Sequence, residues 1–141
     1  MDMAAYGLTG QLAVLAHERP EYAVGRVLLQ ERGLYRVACG AGERMAEVSG
    51  RLRHHARGAE DFPAVGDFVW LEDGGQGNAI IHGILPRRSV FVRRAAGAGC
   101  AEQVVAANID TVFICMALNG DFNLRRLERY LPSRGTAELY P

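Results

Sequence analysis

Residues 24–50, VGRVLLQERGLYRVACGAGERMAEVSG, decide the fold. Within them Tyr35, Val37 and Cys39 alternate with Arg36 and Ala38, the period of two expected of a half-buried strand. Glu31-Arg32-Gly33 separates two apolar runs as a short hairpin loop whose glycine can take a positive φ. Ala41-Gly42 marks a second turn, and Met45–Val48 reads as a third strand. The stretch therefore predicts a three-stranded meander.

Downstream, the polar segment SGRLRHHARGAEDFPAVG holds Gly58 and Pro63 and carries Arg51, Arg53 and Arg57 ahead of its first acid, Glu60. It is expected to be an exposed connection. DFVWLED then supplies a fourth strand, with Phe68 and Trp70 on one face and Val69 and Leu71 on the other. Two apolar faces point to a strand inside a closed barrel or a packed sheet, and make Phe68 and Trp70 core residues before stacking platforms. Residues 73–78, DGGQGN, form a turn, and NAIIHGILP gives a fifth strand ending at Pro86. Five short strands in this arrangement predict a mainly β fold built on a five-stranded OB-type barrel. An SH3-like barrel would give nearly the same periodicity.

Outside the barrel, residues 1–22 read as an N-terminal arm or short helix. LPRRSVFVRRAAGAGCAEQ carries Arg87, Arg88, Arg93 and Arg94, with Phe91 among them and no acid between Pro86 and Cys100. It reads either as a basic linker, placed at 89–101, or as a phosphate-tracking surface. The run Ile109–Ala117, IDTVFICMA, has the length and apolarity of a strand buried on both faces. FNLRRLERYL then places Leu124, Leu127 and Leu131 on one helical face. A strand followed by an amphipathic helix opens an α/β unit across 102–131, which residues 132–141 do not continue.

Composition excludes several classes. Of 141 residues, 49% are hydrophobic and 23% charged, which is globular rather than disordered. No run reaches the length of a membrane span, so no membrane partner is expected and the expected location is the cytoplasm. Cys39, Cys100 and Cys115 are odd in number and far apart, which disfavours a disulfide framework or a zinc site. Neighbouring His54 and His55 would point to opposite faces of an extended chain, and with His82 they make no metal set. All sixteen basic residues are Arg and none is Lys. That bias suits phosphate and base contact, and equally follows from a GC-rich coding sequence. It does exclude a phosphate loop of the type that needs a Lys on the β and γ phosphates.

In order along the chain, GRVLLQERGLYRV, AEVSGRLR, AVGDFVWLE, HGILPRRSVFVRRAAG and EQVVAANIDTVFICMALNGDFNLRRLERYL resemble the N-terminal portion of the RsgA family, circularly permuted GTPases that assist maturation of the small ribosomal subunit. The resemblance spans about Gly25–Leu131. It implies an OB domain at 23–88 that docks on the 16S ribosomal RNA of the small subunit, followed by the first strand and helix of a GTPase domain left incomplete at a divergent tail. The family's GTP, magnesium and zinc are therefore expected to have no site in this chain, and GTP hydrolysis is expected to be absent. The candidates for RNA contact are Arg51, Arg53, Arg57, Arg87, Arg88, Arg93 and Arg94, with Tyr35 as a stacking aromatic. No catalytic or metal-binding residue is assigned. An uncharged strand over Val112–Met116 is a candidate edge for self-association. The alternatives are a stand-alone OB or SH3-like module binding RNA or protein, and a hydrolase using Cys100 with His54 or His82, for which no orienting third group is readable.

Overall fold

The structure, a computed structural model, describes residues 2–94, 102–113 and 115. Its centre is a closed barrel of five strands: β1 (Ala23–Glu31), β2 (Leu34–Cys39), β3 (Gly42–Val48), β4 (Phe68–Glu72) and β5 (Ala79–Ile84). The circuit runs β1-β2-β3-β5-β4 and closes through β4 on β1. All pairs are antiparallel except β3 with β5, where Ala46, Glu47 and Val48 face Ala79, Ile80 and Ile81 in parallel. The single parallel pair and the crossover between β3 and β4 make this an OB barrel rather than the SH3-like alternative.

The meander forms as the period of two predicts. Arg32 and Gly33 are the two loop residues of the first hairpin, at φ 50° and 80°. Both values are positive, the geometry that matches strand twist in a two-residue loop. Tyr35, Val37 and Cys39 point into the barrel, where they meet Val27, Ala46, Val48, Val69, Leu71, Ala79 and Ile81. Burying each of the larger of these side chains contributes about 1.5–3 kcal/mol. Gly25 is required inside this core: a Cβ there would lie 2.7 Å from Leu71 Cδ1 and closer still to Val37.

The second face of β4 has its own explanation. Val69 and Leu71 fill the barrel, whereas Phe68 and Trp70 point outward and are covered by α1 (Gly10–Ala16) through Leu12 and Ala16, with Leu85 beside them. Trp70 Nε1 donates to the Ala16 carbonyl at 3.2 Å, satisfying one of the acceptors a helix leaves open at its C-terminus. The N-terminal segment is thus a helix that closes an outer core, and both aromatics are core residues.

Two expectations need correction. The exposed connection after β3 contains a short helix, α2 (Gly50–His55), and a single 3-10 turn at Ala59–Asp61. Ser49 starts the helix, its hydroxyl accepting from the Leu52 N–H at 3.0 Å, and Leu52 packs on the barrel core. A six-residue helix is too short to show a period beside so many arginines. The chain after the barrel also does not run directly into a strand over Ile109–Ala117. It folds back as β6 (Val90–Arg94) and β7 (Glu102–Ala107), an antiparallel pair that takes in part of the expected linker. Asn108, at φ 53°, ends β7, and residues 109–113 are not strand. The rest of that run and the helix expected from Phe122 lie outside the described residues.

Candidate nucleic-acid interface

Helix α2 projects from one end of the barrel with two clefts beside it. The larger, about 750 Å³, lies between the chain leading into β1, α2 and β5, and is lined by Arg19, Tyr22, Arg51, His55 and His82. Tyr22 stacks on His82 with ring centroids 4.6 Å apart, and Arg19 lies over Trp70. The smaller cleft, about 350 Å³, lies between the β1–β2 hairpin, α2, the turn at Ala59–Asp61 and β7. Arg53 lines it. Arg51, Arg53 and Arg57 are exposed, and their guanidinium groups have no partner among the described residues. Three unpaired cations thus fall within seven residues, two on α2 and one just after it, beside the two clefts.

The other candidates divide. Arg87 belongs to the interior: its Nε and Nη2 donate to Asp67 Oδ1 and Oδ2 at 2.9 and 2.8 Å, and it also donates to the carbonyls of Glu60 and Phe62. Asp67 is fully buried and takes a further bond from the Ala64 N–H. Four of its five N–H donors are thus committed inside the protein, and its charge is paired with Asp67, which leaves no forked pair for a phosphate. Arg88 is exposed but pairs with Asp110 at 2.6 Å. Arg93 is exposed on β6; Arg94 ends that strand, and its side chain lies outside what is described.

Tyr35 is not a stacking platform. Only 2% of it is exposed, because β2 turns it into the barrel core. Burial holds its hydroxyl above the usual tyrosine value, an effect that Arg53 nearby opposes. Its ring has no free face, although its edge reaches the smaller cleft.

Sequence reasoning missed the seam that joins the barrel to β6 and β7. Asn108 sits at its centre, 2% exposed. Its Oδ1 accepts from the Arg88 N–H at 2.8 Å, its Nδ2 donates to the Gly66 carbonyl at 3.1 Å, and its own N–H reaches the Ser89 carbonyl. Arg26 bridges the same seam, donating to the carbonyls of Tyr6, Gly66 and Asn108. Burial pushes the Arg26 guanidinium below its usual value, with Asp110 acting against the shift. Gly66 is at φ 92°, and a Cβ on it would overlap the Ala107 carbonyl. The advance signal was slight: Arg26 in GRVLL, Gly66 in AVGDF and Asn108 after VVAA each set a polar residue or glycine within or beside an apolar run.

Among the described residues no cluster of His, Cys, Asp and Glu could hold a metal ion, and no helix is long and apolar enough to cross a membrane. Of the expected self-association strand, Val112 is half-buried, Phe113 and Cys115 are exposed, and Ile114 and Met116 are outside the described residues.

Comparison with known proteins adds three findings. Residues 84–141 match the model of the RsgA GTPase family. The chain is 44% identical over 131 residues to small ribosomal subunit biogenesis GTPase RsgA 2 of Lactiplantibacillus plantarum, covering 93% of this chain and 37% of the relative. It is 42% identical over 125 residues to RsgA of Opitutus terrae, covering 82% of this chain and 34% of that one. Among solved structures it resembles YloQ, described as a circularly permuted GTPase, with a TM-score of 0.55 at 18% identity over 86% of this chain and 40% of that one. YjeQ from Thermotoga maritima gives a TM-score of 0.54 at 15% identity, covering 82% and 39%. The chain thus spans little more than a third of the length of these curated relatives.

Proposed function

Because the chain belongs to the RsgA GTPase family and spans its N-terminal part, we propose that it is the ribosome-docking portion of a small-subunit biogenesis factor, binding the 16S RNA of that subunit in the cytoplasm. The observation that carries this reading is the set of unpaired guanidinium groups of Arg51, Arg53 and Arg57 on and just after α2. RNA helices are recognised mainly by shape and by their phosphates, and Arg supplies forked donors that match a phosphate. Arg93, with Arg94 after it, extends the proposed contact onto β6. Arg88 joins only by exchanging Asp110 for a phosphate.

The relatives are named as GTPases. In this chain no residue can supply the Lys of a phosphate loop, since the sequence contains none. We therefore expect no saturable GTP binding by this polypeptide, and docking without nucleotide control. Micromolar affinity for GTP in equilibrium dialysis would contradict this.

The docking surface is tested by a salt series on binding to small-subunit RNA. Each of Arg51→Ala, Arg53→Ala and Arg57→Ala is expected to lower the slope of log affinity against log salt by about one. Arg87→Lys, which changes a group committed to Asp67, is expected to leave the slope of the folded protein unchanged. Unaltered slopes in all three α2 variants would remove the proposed surface.

A further inference from the structure

The smaller cleft is built differently from a solvent-filled groove. Its floor is the edge of Tyr35, a residue 98% buried by the barrel core. Tyrosine hydroxyls at such depth normally have a hydrogen-bond partner. The hydroxyl of Tyr35 makes no hydrogen bond to the described protein, and no sealed polar side-chain atom is left unpaired, so this group opens onto the cleft. Around it stand Gln30 from the end of β1, Arg53 from α2 and Gln103 from β7, whose side chains are likewise without partners among the described residues. Phe62 and Val104 supply apolar walls.

The chemistry of this set is specific. A hydroxyl and two carboxamides offer donors and acceptors side by side, the pattern needed to meet the hydrogen-bonding edge of a nucleobase. Arg53 stands beside them as a forked cation for the attached phosphate. The volume, about 350 Å³, lies at the small end of the roughly 300–1,000 Å³ typical of ligand sites. A base inside a helix has its edge already paired and its faces stacked, so only an unpaired, extruded nucleotide could enter.

We propose that this cleft captures a single unpaired nucleotide of RNA, with Tyr35, Gln30 and Gln103 reading the base edge and Arg53 holding its phosphate. The inference rests on the RNA-docking reading above. It also gives the polar seam a purpose: Asn108 and Arg26 hold β7 against the barrel, and β7 carries the Gln103 wall.

The test uses two short RNA hairpins, one fully paired and one with a single bulged nucleotide, titrated into the purified chain at fixed salt. The wild-type chain is expected to favour the bulged hairpin. Tyr35→Phe, which keeps the ring and the core, is expected to reduce that preference by roughly 3- to 10-fold, the worth of one hydrogen bond. Gln103→Ala, on the opposite wall, should act in the same direction. Arg57→Ala, outside the cleft, should weaken both hairpins equally. If the wild type binds both hairpins alike, or if Tyr35→Phe leaves the preference intact, the proposal is overturned while docking through α2 stands. A cleft made for a peptide would give that result. If a folded wild-type chain binds neither hairpin nor small subunits, both readings fall.

Discussion

The barrel and the β6–β7 hairpin are held together by opposite means. Inside the barrel, ten buried residues, all apolar apart from the Tyr35 hydroxyl, close on one another across strands paired on both sides. The hairpin has two strands only, and such a unit is marginal alone. Its attachment to the barrel is largely polar: a bridge between Val65 and Ala106, the bond from Asn108 Nδ2 to the Gly66 carbonyl, and the Asn108 carbonyl held by Arg26 of β1. Apolar closure tolerates some change of shape, whereas a polar seam needs every partner in place. The fold is therefore secured by hydrophobic burial, while the position of the hairpin is secured by hydrogen bonding.

The largest effect is expected at the ion pair on the barrel side, where Asp67 ahead of β4 meets Arg87 after β5. Asp67→Ala strands the Arg87 guanidinium among carbonyls, and denaturant unfolding is expected to show a loss of about 3–5 kcal/mol. Replacing Ile81, fully buried at the barrel centre, with Ala should cost about 2–5 kcal/mol and lower the protection of barrel amides from hydrogen exchange together.

How far the two regions could be read in advance follows the same division. The strands were legible because apolar alternation is local: Tyr35, Val37 and Cys39 announce their face, and Phe68 to Leu71 announce two. The seam was not, because its meaning depends on residues far apart in sequence. Arg87 read as a phosphate ligand until Asp67, twenty residues earlier, appeared against it. Asn108 gave no sign that it would meet both Gly66 and Arg88. Tyr35 was legible as sharing a face with Val37 and Cys39, yet nothing local showed that closure of the barrel would leave its ring no free face for stacking. Arg51, Arg53 and Arg57 were found as a cluster, while the helix that presents them was too short to announce itself.

A milder change sharpens the contrast. Asn108→Ala leaves the Arg88 N–H and the Gly66 carbonyl short of a partner, for about 1–3 kcal/mol. Hydrogen exchange should quicken at Ala107 and Arg88 while β2 and β4 keep their protection. Faster exchange throughout the barrel would show that the two regions are not separately secured.

Tyr35 supplies a pH handle on the barrel alone. Its pKa is raised in the folded state, so the stability it contributes is complete below the unfolded value of about 10 and is lost as pH rises through the folded value. Tyr35→Phe should therefore flatten the alkaline limb of the stability profile, measured by unfolding between neutral pH and pH about 11. The smallest effect belongs to the exposed pair Arg44–Asp73. Arg44→Ala should change stability by no more than about 1 kcal/mol, and less at high salt.

The central claim, that an apolar barrel carries an RNA-docking surface on α2, is tested most directly by co-sedimentation with isolated small ribosomal subunits across a salt series, with large subunits as the control. Saturable binding to small subunits alone, weakening as salt rises and lost in the combined Arg51, Arg53 and Arg57 to Ala variant, is the expected result. Equal binding to both subunits, or binding by that variant as tight as the wild type's, would contradict it.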